Sequence, residues 1–447
     1  MSTRSEVSRR GFVQQMAAAG AAFHIVPRRV LGRGYRAPSD TLNVACVGVG
    51  GMGSNDVDGV SGEDLYALVD VDWRQAENSF RKYPQAKRYR DFREMLDRDG
   101  KSIDAVTVST PDHCHAAVTM AALKAGKHVY TQKPLCRTLG EVRAVMDEAR
   151  RRPKQATQMG NQGHAGDGIR LMREWVEAGL IGTVREVQLW TNRPIWPQAI
   201  ERPTEAHNAP PTLDWDLWLG PAPQRPYHPA YAPFRWRGWW DFGTGALGDI
   251  ACHSMDAAFW ILDLGYPSRI EAESTTLFAE TAPRASRIVY QFAAKGSRPA
   301  VTVVWRDGSI LPPRPPEIGP EAQWPIPSEE GGQLWVGDNG KLVAGLYGQN
   351  PQLLDAAKDV AVKATPPPTK YSRTGGVYAE WIAACKAGSQ PGSNFAGSSG
   401  PLTEMVLLGN LAVRAQRTLE LDAKGQVTNA AIPPEWIMPE YRKGWSL

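Results

Sequence analysis

Residues 42–53 read Leu-Asn-Val-Ala-Cys-Val-Gly-Val-Gly-Gly-Met-Gly. A nearly all-apolar run is followed by a G-x-G-x-x-G turn (Gly48, Gly50, Gly53) and then by a segment that suits a helix. Such a run is typical of a parallel strand that is buried on both faces of a sheet. Glycines let the backbone approach a pyrophosphate at the positive end of the next helix. The stretch therefore predicts a dinucleotide-binding turn.

A second predicted strand, residues 65–69, ends at Asp70, which follows Gly48 by 22 residues. An acid at this distance accepts a hydrogen bond from the ribose 2′-hydroxyl of NAD and repels the 2′-phosphate of NADP. Asp70, with Asp72 close by, therefore favours NAD over NADP. The alternative is a glycine turn that only packs a helix against a strand.

The alternation of strands and helices continues along the chain. Strands are predicted at 104–109, 128–131 and 156–159, and helices at 113–125 and 139–151. Repeated β-α units with short links predict a doubly wound parallel sheet over residues 40–159. Ligands of such sheets bind at the carboxyl ends of the strands. The loops 109–113 and 131–135 leave the sheet at those ends.

These loops carry a specific family resemblance. The sequence contains Thr110-Pro111-Asp112-His113-Cys114-His115, Ala125-Gly126-Lys127-His128-Val129 and Gln132-Lys133-Pro134. It resembles the glucose–fructose oxidoreductase / inositol dehydrogenase family (Gfo/Idh/MocA), although Gln132 replaces the usual Glu. Gly160-Asn161-Gln162 matches the start of that family's second domain. The resemblance implies these cofactor-binding residues: Gly48, Gly50, Gly51, Met52, Gly53, Asp70, Ser109, Thr110, Pro111, His115, Gln132, Lys133, Asn161 and Gln162.

The resemblance also implies an α+β second domain, residues 160–447, with an open and mostly antiparallel sheet. One face of this sheet is expected beside the cofactor, and the other in a homodimer or homotetramer. The sequence patterns predict strands at 184–191, 269–278, 286–293 and 299–306, and helices at 168–179, 375–386 and 401–416. Proline-rich stretches at 312–327 and 364–369 are interpreted as loops.

The chemical centre is predicted in Gly248-Asp249-Ile-Ala-Cys-His253, because residues four apart share one face of a helix. The resemblance implies that His253 is the general base toward a sugar hydroxyl. Lys133 would stabilise the developing alkoxide, and Asp249 would orient the substrate or His253. The alternative is that Asp249 caps a helix and His253 is a hydrogen-bonded core histidine.

Aromatic residues before this motif suggest a carbohydrate-like substrate. Seven of the 16 tryptophans lie in residues 190–240. Indole rings give rigid contact area for the apolar faces of sugars, and nearby polar groups would bind hydroxyls. Packing against the sheet is an equal alternative for most of these rings. The candidate substrate residues are Arg193, Trp196, Tyr227, His228, Arg237, Trp240 and Asp249, with Arg235 and Asp241 in addition.

The formal net charge of +4 comes from the first 36 residues, which hold seven arginines and one acid. The remainder is near neutral, so nucleic-acid binding through a basic surface has no support. Ser8-Arg9-Arg10-Gly11-Phe12-Val13 and the apolar stretch 16–26 resemble a twin-arginine signal. We therefore expect export, to the periplasm, with residues 1–39 as signal and linker; a basic cytosolic tail is the alternative. We expect neither a membrane span nor a metal site, because long apolar runs and C-x-x-C pairs are absent from the sequence.

The leading hypothesis is an NAD-dependent oxidoreductase that acts on a CH–OH group of a sugar, polyol or glycoside. Free nicotinamide cofactor is scarce outside the cytoplasm, so export would favour a cofactor that does not dissociate. One alternative is a redox-neutral glycosidase or lyase that passes through a transient keto-sugar on tightly bound NAD. Another is a non-catalytic sugar-binding scaffold.

Overall fold

The apolar run of residues 42–48 forms the central strand of a six-stranded parallel sheet. In the computed structural model, which describes residues 40–324 and 330–447, β1 pairs in parallel with β2 and β4. The strand order is β3-β2-β1-β4-β5-β6. The strands are β1 (Asn43–Val47), β2 (Asp64–Val69), β3 (Lys87–Tyr89), β4 (Ala105–Val108), β5 (His128–Thr131) and β6 (Thr157–Met159). The predicted doubly wound parallel sheet is thereby confirmed.

Helices connect these strands, and their first residues follow local capping rules. Asp72 and Asp91 each accept a hydrogen bond from the backbone two residues later, and Thr138 with Glu141 forms a capping box. The helices are α1 (Met52–Gly59), α2 (Trp73–Lys82), α3 (Phe92–Asp99), α4 (Asp112–Lys124) and α5 (Leu139–Arg151). The sequence predictions for β5 and α5 match at both ends.

The second half of the chain builds an eight-stranded sheet in the order β13-β12-β11-β7-β10-β9-β8-β14. Only β7 and β10 pair in parallel among these described strands, so the sheet is mostly antiparallel, as predicted. The strands are β7 (Val184–Thr191), β8 (Arg269–Ser274), β9 (Ser286–Phe292), β10 (Val301–Arg306), β11 (Gly331–Gly337), β12 (Gly340–Gly345), β13 (Gln352–Leu353) and β14 (Leu419–Glu420).

The helices of this half place the chemical centre. They are α6 (Asp167–Glu177), α7 (Trp215–Leu219), α8 (Gly245–Ile261), α9 (Ala356–Ala364), α10 (Val377–Ala387), α11 (Gly400–Ala415) and α12 (Pro434–Ile437). Helix α8 packs against α11 and is buried over most of its length. Close packing of α11 on the sheet requires Gly409, since a Cβ there would lie 2.0 Å from the Tyr290 hydroxyl oxygen. Asp249 and His253 therefore lie on a buried helix.

Several sequence predictions differ from the structure or lie beyond it. The predicted strand 269–278 ends at Ser274, and residues 312–324 are irregular as predicted. The proposed export signal, residues 8–26, lies outside the described residues. Across the two described ranges, the structure contains no helix of the length and apolarity that crossing a bilayer requires. All five cysteines fall within these ranges and are buried free thiols.

Candidate active site

A cleft of about 480 Å³ opens at the carboxyl ends of the parallel strands. Its size falls in the range of small-molecule sites, which is about 300–1,000 Å³. Eleven of the fourteen predicted cofactor-binding residues line it: Gly48, Gly50, Gly51, Met52, Asp70, Ser109, Thr110, Pro111, His115, Gln132 and Lys133. The cleft therefore lies where an open α/β sheet binds its ligand.

Three predicted cofactor residues lie outside this lining. A Cβ on Gly53 would come within 1.9 Å of the Gly48 carbonyl oxygen, so Gly53 allows α1 to pack on the turn. Asn161 is fully buried, and its Oδ1 accepts a hydrogen bond from Ser393 Oγ at 2.5 Å. Gln162 begins a 3₁₀ turn. Gly53 thus allows close packing of α1, and Asn161 and Gln162 lie after β6, at the start of the second half of the chain.

The Asp70 carboxylate is hydrogen-bonded to the backbone of the glycine turn. It accepts backbone hydrogen bonds from Val49 at 2.9 Å, Gly50 at 3.2 Å and Asp72 at 2.9 Å. Burial raises the pKa of Asp70 to about 6, although these amide donors oppose the rise. Asp70 also lines the cleft, at the end of β2, where the adenosine ribose of a dinucleotide binds.

The turn itself fits a dinucleotide. A Cβ on Gly50 would lie 2.7 Å from Gln75 Cβ, so the turn has room for backbone only. Among the described residues, no side chain caps the start of α1. The positive end of this helix is therefore available to an anionic group such as a pyrophosphate.

Lys133, Asp249 and Arg237 meet at the other end of the cleft. Lys133 Nζ donates to Asp249 Oδ1 at 2.8 Å and to the Asp249 carbonyl oxygen at 2.9 Å. Arg237 Nε donates to the same Oδ1 at 3.2 Å. Burial alone would raise the pKa of Asp249, but the two cations lower this pKa by more and leave it below its usual range. The site thus presents an ionised carboxylate between two positive charges.

His253 lies one helical turn after Asp249 and, unlike Asp249, is not among the residues that line the cleft. It is 4% exposed, and its ring centroid lies 4.6 Å from that of Tyr347. Within residues 40–324 and 330–447, its Nδ1 has no hydrogen-bond partner. Burial, assisted by the charge of Lys133, lowers the pKa of His253 to about 3. The imidazole is therefore neutral at physiological pH, and it is a buried histidine that lacks the hydrogen bond expected of a purely structural one.

A buried carboxylate beneath the glycine turn escaped sequence analysis. Gln132 Nε2 donates to both oxygens of Asp56, at 2.9 and 3.0 Å. Asp56 also accepts from Ser109 Oγ at 2.6 Å and from the Tyr378 hydroxyl at 2.7 Å. Burial raises the pKa of Asp56 above its usual value. The departure from Glu at position 132 was the one sequence signal of this network.

The candidate substrate residues divide into two groups. Arg237 and Asp249 line the cleft, whereas Arg193, Trp196, Tyr227, His228 and Trp240 lie outside its lining. Four of the tryptophans before α8 instead build or border a separate hydrophobic core: Trp215, Trp218, Trp236 and Trp239. Packing thus accounts for these rings, although Trp218 and Trp236 also reach the cleft.

The described residues contain no cluster of three or more His, Cys, Asp or Glu that could hold a metal ion.

Two family models match this sequence. One, described as an oxidoreductase family with an NAD-binding Rossmann fold, matches residues 42–160. The other, described as the C-terminal alpha/beta domain of the oxidoreductase family, matches residues 169–300. Together they span more than half of the chain. The protein belongs to the Gfo/Idh/MocA family.

Curated proteins are similar to this chain over part of their length. An inositol 2-dehydrogenase of Salmonella typhimurium is 29% identical over 147 residues, which is 32% of this chain and 43% of that protein. A glycosyl hydrolase family 109 protein of Shewanella pealeana is 29% identical over 155 residues, 32% of this chain and 33% of that protein. The match thus covers less than half of either relative.

Solved structures extend the likeness of fold. A levoglucosan dehydrogenase in complex with NADH and levoglucosan superimposes with a TM-score of 0.58 at 18% identity, over 85% of this chain and 99% of that chain. This likeness concerns the arrangement of the two sheets, because the identity is low.

Proposed function

We propose that this protein is an NAD(H)-dependent oxidoreductase that acts on a CH–OH group of a sugar, polyol or glycoside. One observation carries the proposal: the cleft that fits a dinucleotide ends at the cluster of Lys133, Asp249 and Arg237, one helical turn from His253, whose Nδ1 has no hydrogen-bond partner among the described residues. The names of the relatives support a sugar or polyol substrate.

The chain's own residues divide the cofactor site into two parts. The turn at Gly48–Gly53 would hold the pyrophosphate, and Asp70 would bind the adenosine ribose and disfavour NADP. Ser109, Thr110 and Lys133 would lie toward the nicotinamide. When bound, the nicotinamide accepts or donates a hydride at its C4 atom.

Acid–base chemistry falls to three side chains. We assign to His253 the role of general base toward the substrate hydroxyl; burial keeps the imidazole neutral, and the same lowering of its pKa weakens it as a base. The Lys133 ammonium stabilises the negative charge that develops on the same oxygen. Asp249 keeps the ammonium in place, since it binds Lys133 through both its carboxylate and its carbonyl oxygen. A substrate hydroxyl would thus replace part of the ion pair seen here.

The test is a pair of variants assayed with myo-inositol and levoglucosan as probes, by NADH absorbance. His253→Ala should lower kcat by on the order of 10²-fold or more, because removal of a general base costs about 10²–10⁴-fold. Tyr347→Phe keeps the ring packed against His253 and should stay within a few-fold of wild type. A His253→Ala enzyme of near-normal rate would remove His253 from this role.

A second candidate function is supported by the glycosyl hydrolase family 109 relative. In this case NAD stays bound, and a glycoside is oxidised, cleaved and reduced again within one turnover. Native mass spectrometry would show NAD(H) retained on the purified protein, and glycosides would be cleaved without added cofactor. Net NADH formation from a free polyol favours the dehydrogenase instead. A folded protein that binds sugar without NAD would indicate a non-catalytic scaffold.

We also propose export by the twin-arginine route to the periplasm, supported by Ser8-Arg9-Arg10-Gly11-Phe12-Val13. Fractionation of cells that express Arg9→Lys/Arg10→Lys should find the protein retained in the cytoplasm; unchanged export contradicts the proposal.

The family resemblance leads us to propose a homodimer or homotetramer, which analytical ultracentrifugation would test. A monomer at micromolar concentration would contradict it.

A further inference from the structure

The adenosine end of the cleft is covered by a roof segment, which we define as residues 212–221 and which contains α7. The roof is joined to the end of β2 by backbone hydrogen bonds, from Trp73 to Thr212 at 3.2 Å and from Asp214 to Val71 at 2.9 Å. Its residues Leu213, Leu217 and Trp218 line the cleft. The cofactor site is therefore bordered on this side by a part of the chain that follows the Rossmann domain in sequence.

The segment 441–447 fastens this roof from outside. Arg442 is hydrogen-bonded to the Asp216 carboxylate, donates from Nη2 to the Asp216 carbonyl at 2.7 Å and from Nε to the Gly220 carbonyl at 3.1 Å. Its backbone N–H donates to the Pro221 carbonyl at 3.2 Å. One arginine thus binds the roof through four hydrogen bonds.

The same segment is attached to the Rossmann domain at its other end. The Trp445 ring packs on Phe92, with centroids 6.0 Å apart, and the Arg93 guanidinium lies 4.4 Å from the indole centroid. Arg93 also donates to the Gly444 carbonyl at 3.0 Å, and Lys124 Nζ to the Leu447 carbonyl at 2.7 Å. The segment therefore bridges the roof and the first sheet.

Trp445 in addition lines the cleft, together with Arg90 and Phe92, which follow β3. The strand order places β3 beside β2, whose end carries Asp70. By the rule that this acid binds the adenosine ribose, Trp445 borders the adenosine half of the site. Large aromatic rings contribute both contact area and exclusion of water in such positions.

We propose that the segment 441–447 is a clasp that holds the roof over the adenosine half of the cofactor, with Trp445 as one wall of the adenosine subsite. This rests on the proposed function, since it presupposes that NAD(H) binds in the cleft. The clasp slows cofactor release, because the roof cannot lift until the Arg442 contacts and the Trp445 packing are broken. Retention of the cofactor is then a property of this chain's own segment.

The experiment measures NADH dissociation from the full-length protein. Protein loaded with NADH is mixed with excess NAD, and the loss of bound-NADH fluorescence gives the rate. Trp445→Ala and Arg442→Gln should each release NADH about tenfold faster or more, as expected for the loss of one aromatic contact or a small hydrogen-bond cluster. Trp436→Ala is the matched control, since Trp436 is a half-buried indole that lies outside the cleft lining.

The outcomes separate the clasp from the proposed function. Wild-type protein that binds no NADH overturns both, whereas wild-type protein that binds NADH and releases it as fast as the variants overturns the clasp alone. Retention in wild type, with release unchanged in Trp445→Ala or in Arg442→Gln, overturns the clasp alone, as does an equal acceleration in Trp436→Ala. Thermal unfolding of the cofactor-free proteins identifies a variant that has lost its fold. Arg442→Gln leaves every residue that lines the cleft unchanged, so it provides the decisive rate if Trp445→Ala unfolds.

Discussion

Gln132 stands where the family resemblance expects Glu, and the structure gives a reason. Its amide donates two hydrogen bonds to Asp56, which is buried beneath the glycine turn. A glutamate at this position would set two carboxyl groups against each other in a buried site. In this chain the carboxylate of the network is carried by α1, and the loop after β5 supplies an amide.

The pairing of the Gln132 amide with the Asp56 carboxylate predicts that a swap of the two groups preserves stability better than a change at one position. Gln132→Glu should lower the free energy of unfolding by about 2–4 kcal/mol, because a second buried carboxyl group must ionise beside Asp56 or take up a proton. Asp56→Asn/Gln132→Glu should recover most of the loss, since an amide again faces a carboxylate. Urea unfolding of the three proteins measures this. Equal stability of the single and double variants would contradict the account.

The pH dependence of the reaction tests the state of His253. Burial and Lys133 lower the pKa of its imidazole to about 3, so the neutral base persists at all pH values above this. The profile of kcat/KM should therefore show no acidic limb that belongs to His253 near pH ~6.5, where an ordinary histidine titrates. A limb that comes from Asp70, whose pKa is about 6, should persist in His253→Gln. An acidic limb near 6.5 that is absent from the residual activity of His253→Gln would contradict this expectation.

At the scale of elements, the glycine turn is the part whose geometry is most constrained. Gly53→Ala should weaken NAD binding by tenfold or more, because its Cβ would lie 1.9 Å from the Gly48 carbonyl and displace α1. Gly100→Ala is the control, as a Cβ there meets nothing within 4 Å. Fluorescence titration with NADH gives both affinities. Comparable affinities in the two variants would show that the turn tolerates a side chain.

Elements with a clear apolar pattern could be predicted from the sequence, and elements without one could not. The run Leu139–Arg151 alternates apolar and charged residues with helical period, and its prediction matches the structure at both ends. Strand β3 reads Lys-Arg-Tyr at the sheet edge and offers no buried run. The sequence patterns also do not predict the hairpin β11–β12, whose two-residue turn is Asp338-Asn339 between the paired Gly337 and Gly340. Gly331 and Gly332 at the start of β11 weakened its strand character.

At the scale of the whole molecule, the site joins residues that lie far apart in the chain. Family motifs in the sequence name Lys133 and Asp249, and the structure places them 2.8 Å apart although 116 residues separate them. Trp445 and Tyr378 belong to no motif. Only the folded chain shows that Trp445 lines the cleft and that Tyr378 donates a hydrogen bond to Asp56. Packing between distant segments is the information that motifs and periodicity lack.

Asp112 is a buried carboxyl group of the first half of the chain that contacts the second half. Asp112, the first residue of α4, accepts a hydrogen bond at 2.7 Å from the hydroxyl of Thr244, which precedes α8. Burial raises the pKa of Asp112 to about 7. The folded state thus holds a proton that the unfolded state releases above pH ~3.8, so this group destabilises the fold progressively as pH rises from about 4 to 7.

Asp112→Asn should therefore gain stability relative to wild type as pH rises through this window, by on the order of 1–3 kcal/mol between pH 4.5 and 7.5. Urea unfolding of the cofactor-free proteins at several pH values measures the difference. A stability difference that stays constant with pH, or that shrinks toward pH 7.5, would contradict the raised pKa.

The most direct measurement is calorimetric titration of NAD and of NADP into the purified, folded protein. The glycine turn and Asp70 predict one NAD bound per chain, with NADP bound at least tenfold more weakly. Folded, cofactor-free protein that binds neither dinucleotide at millimolar concentration would contradict the central claim.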